Sequence, residues 1–211
     1  MLKKILIMLG LAVASISDAP SQPPHKSSID IAGNYAKINE TANLFLKDFG
    51  PNFTKTPKGH IQTDIAGAGA IAGLMLLREV VPDLDSMPPG IVVISDVHQG
   101  QVELLEFMSQ VAVNMGLEAK TGWGMSIAET DKPMMDTLEL TSRLESSFYN
   151  ICSQIGLPKQ YYSYAAALTA MKLVAAGNGM HLLDQQRGKS LAFYYIVAGS
   201  KTAPHSLSKK K

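Results

Sequence analysis

Pro88-Pro89-Gly90-Ile91-Val92-Val93-Ile94-Ser95-Asp96-Val97-His98-Gln99-Gly100 places a proline and glycine stop before four apolar β-formers and a polar loop. A continuous apolar run of that length suits a strand covered on both faces, and the helical spacing that follows it makes a strand, loop and helix unit. Ligand sites in open α/β sheets lie beyond the carboxyl ends of the strands. Ser95, Asp96 and His98 are therefore the first candidate binding residues.

Outward from that stretch, the apolar positions Val102, Leu105, Met108, Val111, Ala112 and Met115 mark one helical face, and Gly116 is placed to end the helix. Leu117 to Lys120 reads as a short second strand, followed by the glycine-flanked loop Thr121-Gly122-Trp123-Gly124-Met125. A loop that presents an aromatic is a common place for function, so Trp123 joins the binding candidates; its alternative is to fold back over the core. Asp136 and Glu139 have capping-box spacing and open a helix ended by Gly156-Leu157-Pro158. Cys152 falls on the apolar face of that helix and is expected to be an inert buried thiol. Tyr161, Tyr162 and Tyr164 open an alanine-rich helix stopped by Gly177-Asn178-Gly179, where they either line a groove or staple the helix start. Met180–Leu183 and Leu191–Ala198, joined by a polar turn, read as two more strands.

Upstream, Ile29, Ile31, Tyr35, Ile38, Ala42, Phe45 and Phe49 predict a helix ended by Gly50-Pro51, and 52–62 reads as a loop in which Asn52-Phe53-Thr54 fits the glycosylation pattern. Thr63 or Asp64 caps the next helix, whose start, Ile65-Ala66-Gly67-Ala68-Gly69-Ala70-Ile71-Ala72-Gly73, is nearly free of side-chain bulk. Such a surface lets another backbone approach closely, as in a central helix packed on all sides. The expectation is a mixed α/β fold in a single compact domain over 29–205, four to five helices around a small sheet, with the strand order left open.

The chain ends carry different signals. Met1 to Ala14, with Lys3 and Lys4 before a short apolar run and an Ala12-Val13-Ala14 close, has the form of a secretory signal peptide. That run is far short of the roughly 20 apolar residues a membrane span requires. Residues 15–28 are Ser- and Pro-rich and read as a flexible leader, and 206–211 as a disordered basic tail. The mature protein is thus expected to be secreted or periplasmic, with no stable membrane span after cleavage. Losing Lys3 and Lys4 takes the formal charge from +1 to −1, and setting aside Lys209 to Lys211 leaves the body at −4. A body of that sign excludes a nucleic-acid surface built on a broad basic field. One cysteine excludes an intramolecular disulfide.

Two resemblances bear on chemistry. Gly67-Ala68-Gly69-Ala70-Ile71-Ala72 resembles the glycine-rich turn of flavin and nicotinamide enzymes, which would imply nucleotide-cofactor binding through Gly67 to Gly73. That fingerprint follows directly on a buried strand, whereas His60-Ile61-Gln62-Thr63-Asp64 has one apolar residue in five. Ile91 to His98 resembles the first motif of calcineurin-like metallophosphoesterases, in which an Asp-x-His ligates one of two metal ions. The resemblance implies a metal-dependent phosphoesterase-like hydrolase using Asp96 and His98. Asn178 and His181 are similar to that family's later Gly-Asn-His with two residues interposed, and His205 offers a further nitrogen. The segment that would supply a bridging carboxylate, Gly-Asp-x-x-Asp, does not occur. Asp96 and His98 have a simpler role as residues of a helix start. With no Gly-x-Ser-x-Gly elbow and no dense acid or histidine cluster, the favoured reading is an exported, soluble, non-catalytic protein that binds a protein or small-molecule ligand, its cofactor unknown.

Overall fold

A computed structural model describes residues 30–49, 60–119, 121–124 and 126–206. The expected signal peptide and leader, the Gly50-Pro51 stop, Asn52 and 207–211 lie outside the described residues. Within them the fold is helical: α1 (Ile31–Phe45), α2 (Ile61–Val80), α3 (His98–Asn114), α4 (Thr137–Ile155), α5 (Tyr162–Gly179) and α6 (Gln185–Gly199). The expected α/β fold is overturned, because the described residues contain six α-helices and no sheet.

α2 is the axis. Every residue from Thr63 to Leu77 is buried, and α6, α5 and α4 all pack on it. The small residues make this possible by letting backbones meet. A Cβ on Gly69 would stand 2.6 Å from the Ala192 carbonyl oxygen, one on Gly73 2.0 Å from the Ile196 oxygen, and one on Gly199 2.2 Å from the Ala70 oxygen. Gly67 faces side chains instead, with Leu144 and Phe49 nearest. The Gly67 to Gly73 stretch is thus the middle of a helix that begins at Ile61, so no strand leads directly into it.

The run Ile91–Ile94 is not a buried strand. Only Val93 is covered, at 7% exposure, while Val92 is 75% and Ile94 99% exposed. Its single bridge is antiparallel, between Val92 and Thr202. Four β-formers have the propensity for extended chain, but no second layer covers them. Of the expected second strand, Leu117 to Ala119 are described and form no strand. The two expected strands after Gly179 are replaced by a turn and α6, which starts where the Asp184 carboxylate accepts from the Gln186 N–H at 2.8 Å. Leu191, Ala192, Tyr195, Ile196 and Gly199, all buried, share one side at helical spacing and lie against α2.

Other boundaries follow local chemistry. Asp136 caps α4 by accepting from the Glu139 N–H at 2.8 Å, and Gly156 ends it at φ 63°. Cys152 is buried on the face of α4 that also carries Leu144 and Phe148, and burial pushes its thiol up to about 12. α2 begins one turn early, after His60, whose Nδ1 lies 2.8 Å from Thr63 Oγ1; neither Thr63 nor Asp64 is the N-cap. Among the described residues no helix is long and apolar enough to cross a membrane.

Candidate functional site

The residues singled out from sequence are distributed over four places. Ser95 is half-buried, with its hydroxyl shut from solvent and without a hydrogen-bond partner. Asp96 and His98 are exposed at the start of α3, and neither side chain caps it. Asn178 and His181 stand at the opposite kind of end, the close of α5. There His181 takes φ 55°, and the Leu182 N–H returns to the Gly177 carbonyl at 2.9 Å. His205 is exposed near the end of the described chain. Among the described residues no three His, Cys, Asp or Glu side chains gather in an arrangement that could hold a metal ion.

Trp123 folds back on the core, half-buried. Its indole N–H donates to the Ala119 carbonyl at 2.6 Å, and the ammonium of fully buried Lys189 sits 5.3 Å from the ring centroid and donates to the Glu118 carbonyl. Burial lowers the Lys189 pKa. Gly122 takes φ 82° directly against the Gln186 backbone. These contacts fasten the tryptophan loop across the first turns of α6, so the ring is a fixed cover rather than a presented group.

A site with its own chemistry forms at the C-terminal end of α2. Pro82 follows the last turn, and the Val81 N–H closes that turn on Leu77 at 2.9 Å. Arg78, in that turn, reaches sideways to α4 and to the short 3₁₀ turn Leu84–Ser86. Its Nε–H donates to Glu145 at 2.5 Å and one Nη2–H to Asp85 at 2.9 Å. Glu145 is 2% exposed and Arg78 13%. Burial opposes the guanidinium charge, but the two carboxylates outweigh it and raise the pKa. A guanidinium has five N–H donors, so three are left after these two bonds.

One helical turn beyond Glu145, Tyr149 meets Tyr162 edge to face, centroids 5.6 Å apart. Burial first, then the Glu145 carboxylate, push the Tyr149 phenol up to about 12 against the pull of Arg78. Tyr149 is therefore a hydrogen-bond donor at neutral pH and not a base. Arg78, Tyr149 and Tyr162, with Met75, Glu79, Val81, Pro82, Lys159 and Gln160, line a cleft of about 430 Å³.

Two further clefts are lined elsewhere. A groove of about 730 Å³ runs between Ile31 and Tyr35 of α1 and Phe107 and Val111 of α3, and a cleft of about 430 Å³ lies between Pro88, Ser142 and His205. None of the three includes Ser95, Asp96, His98 or Trp123. Of the tyrosines that open α5, Tyr162 does line a groove. Arg78, Glu145 and Tyr149 had one sequence signal between them: an acid, Glu145, set on the apolar face of α4 beside Leu144 and Phe148. No protein-family model, curated protein or solved structure matches this chain. Its function has to be read from the cleft's own groups.

Proposed function

We propose that the chain is an exported, non-catalytic binding protein whose seat is the cleft at the end of α2. The observation that carries this is Arg78, fixed by Glu145 and Asp85, beside two tyrosines and next to Lys159 and Gln160. Besides the exposed Glu79 carboxylate, the polar groups are donors: the remaining guanidinium N–H groups, an ammonium, an amide and two phenols kept protonated. The walls are aromatic or aliphatic, and the volume is within the range of small-ligand sites. The matching ligand is a small flat molecule carrying carbonyl or carboxylate acceptors. Two acids already neutralise Arg78, so a carboxylate is directed to Lys159.

The test is thermal unfolding of the full chain with aromatic carboxylates and their amides. A binder at a hundredfold excess over its Kd adds about 2.7 kcal/mol, which at this chain length raises Tm by roughly 5–10 °C. Lys159 is exposed, so Lys159→Ala should keep the fold and weaken carboxylates selectively over amides, by about fivefold. A panel that shifts nothing, or shifts that Lys159→Ala and Tyr162→Phe leave unchanged, refutes the site. Export is tested on the native protein by N-terminal mass. A start between residues 15 and 21 is expected, and intact Met1 on a cytosolic species refutes it.

A further inference from the structure

The cleft at the end of α2 holds one charge that a ligand made only of acceptors does not use. Glu79 lines it as an exposed carboxylate, one residue beyond Arg78, and Lys159 lines it as an exposed ammonium from the short 3₁₀ turn Lys159–Tyr161 that leads into α5. The Glu79 carboxylate lies toward α5, because the buried Tyr164 phenol of that helix is pushed up by burial first, then by Glu103 and by Glu79. A carboxylate has about four lone-pair positions, so a neighbour on one side leaves room for an ammonium on another. Arg78 is already met by two acids, Glu145 and Asp85. Among the described residues, the lining and the groups bonded to Arg78 thus set three acids, Glu79, Glu145 and Asp85, against two bases, Arg78 and Lys159. A ligand bearing only a carboxylate enters an excess of its own sign, and one bearing only an ammonium leaves the Lys159 donors unused.

We propose that the ligand of this cleft is a zwitterion, an aromatic amino acid, with its ammonium on Glu79, its carboxylate on Lys159 and its ring against Tyr149 and Tyr162. This rests on the cleft being the binding seat and adds the class of its ligand. The order of groups in the site argues for it. Glu79 and Lys159 are exposed and stand where the cleft meets solvent, whereas Met75 and Tyr162 are 5% and 8% exposed and stand within. A site charged at its rim with both signs and aromatic inside matches a molecule with both charges at one end and a ring at the other. Glu79 and Lys159 come from separate elements on long, flexible side chains, so both can turn to one head group.

Calorimetric titration of the full chain with phenylalanine, 3-phenylpropionate and phenethylamine tests this, since the three share a ring and the last two each lack one charge. At pH 7 and low salt, phenylalanine should bind about fivefold tighter than either. Glu79→Gln should erase the advantage over 3-phenylpropionate and keep that over phenethylamine, and Lys159→Ala should do the reverse. Both positions are exposed, so both variants should keep Tm. If 3-phenylpropionate or phenethylamine binds as tightly as phenylalanine, the zwitterion is overturned while the cleft stands as a binding seat. An advantage over 3-phenylpropionate that survives Glu79→Gln overturns it too. Binding of none of the three overturns it outright, and the panel of aromatic carboxylates and amides then decides the cleft itself.

Discussion

Gly73→Ala probes the crossing on which the fold depends. The added Cβ would stand 2.0 Å from the Ile196 oxygen, 2.6 Å from the Ser200 nitrogen and 2.8 Å from the Ile196 carbonyl carbon. All three are backbone atoms, so no rotamer change removes the clash, and reaching ordinary contact at 3.4 Å parts the helices by about 1.4 Å. A gap of even ~0.5–1 Å forfeits a quarter to a half of each dispersion contact along the face. Sliding is blocked as well, since Gly69 and Gly199 meet backbone on the same face. Overpacking at the upper end of its usual range costs about 3 kcal/mol, and the better helix propensity of alanine returns about 1 kcal/mol. The net loss is about 2 kcal/mol. Urea unfolding at constant m measures it. Gly67 is the internal control: its Cβ would meet the free end of Leu144 at 2.8 Å, which can move. Gly67→Ala should therefore be neutral or stabilising by up to about 1 kcal/mol. Equal costs at 67 and 73, or a Gly73→Ala protein as stable as the parent, would refute the close-crossing account.

Two other outcomes follow from the same coordinates. Burial pushes the Cys152 thiol and the Tyr149 and Tyr195 phenols up to about 12, from ordinary values of 9.0 and 10.0. The folded chain then holds protons that the unfolded chain releases, so stability is full below pH 9.0 and falls between there and about 12. A Tm that stays level across that interval, or a Cys152 that reacts with a thiol reagent before unfolding, contradicts the burial. His181 holds φ 55° only to stop α5, so His181→Gly should raise stability by about 1 kcal/mol in the same urea assay; a metal ligand would instead show a loss, reversed by added divalent ion.

How much of the fold was legible depended on how far each signal reached along the chain. Asp136 and Gly156 were legible because a cap is settled within one turn: the carboxylate needs only the Glu139 N–H, and the glycine needs only its own positive φ. The small-residue run was legible as a close contact, since absent side chains admit a neighbour whatever that neighbour is. Its partner was not. Leu191 to Ala198 carries the aromatic and β-branched residues of a strand and the spacing of a helix at once, and periodicity does not separate the two in so short a run. The glycines of α2 resolve it, because only a helix brings the Ala192 and Ile196 carbonyls onto Gly69 and Gly73. Ile91 to Ile94 failed for the complementary reason: extended conformation is a local property and burial is not, so the run is extended and uncovered.

The candidate site shows the same division. Asp96 and His98 drew attention because ligand spacing is visible within three residues, whereas the cleft joins Met75, Arg78 and Pro82 to Tyr149, Lys159 and Tyr162 from separate parts of the chain. Its one local mark, an acid on the apolar face of α4, becomes meaningful only once α2 brings Arg78 within 2.5 Å of it. That reach is set by the glycine crossing, because Arg78 lies five residues beyond Gly73 on the same helix, about 7.5 Å along its axis. Parting α2 from α6 at Gly73 would therefore also move the guanidinium relative to Glu145, whose burial leaves it no water to turn to. Stability and binding are coupled through one helix: Gly73→Ala should weaken any cleft ligand although Gly73 does not line the cleft, and Gly67→Ala, which leaves the crossing in place, should not.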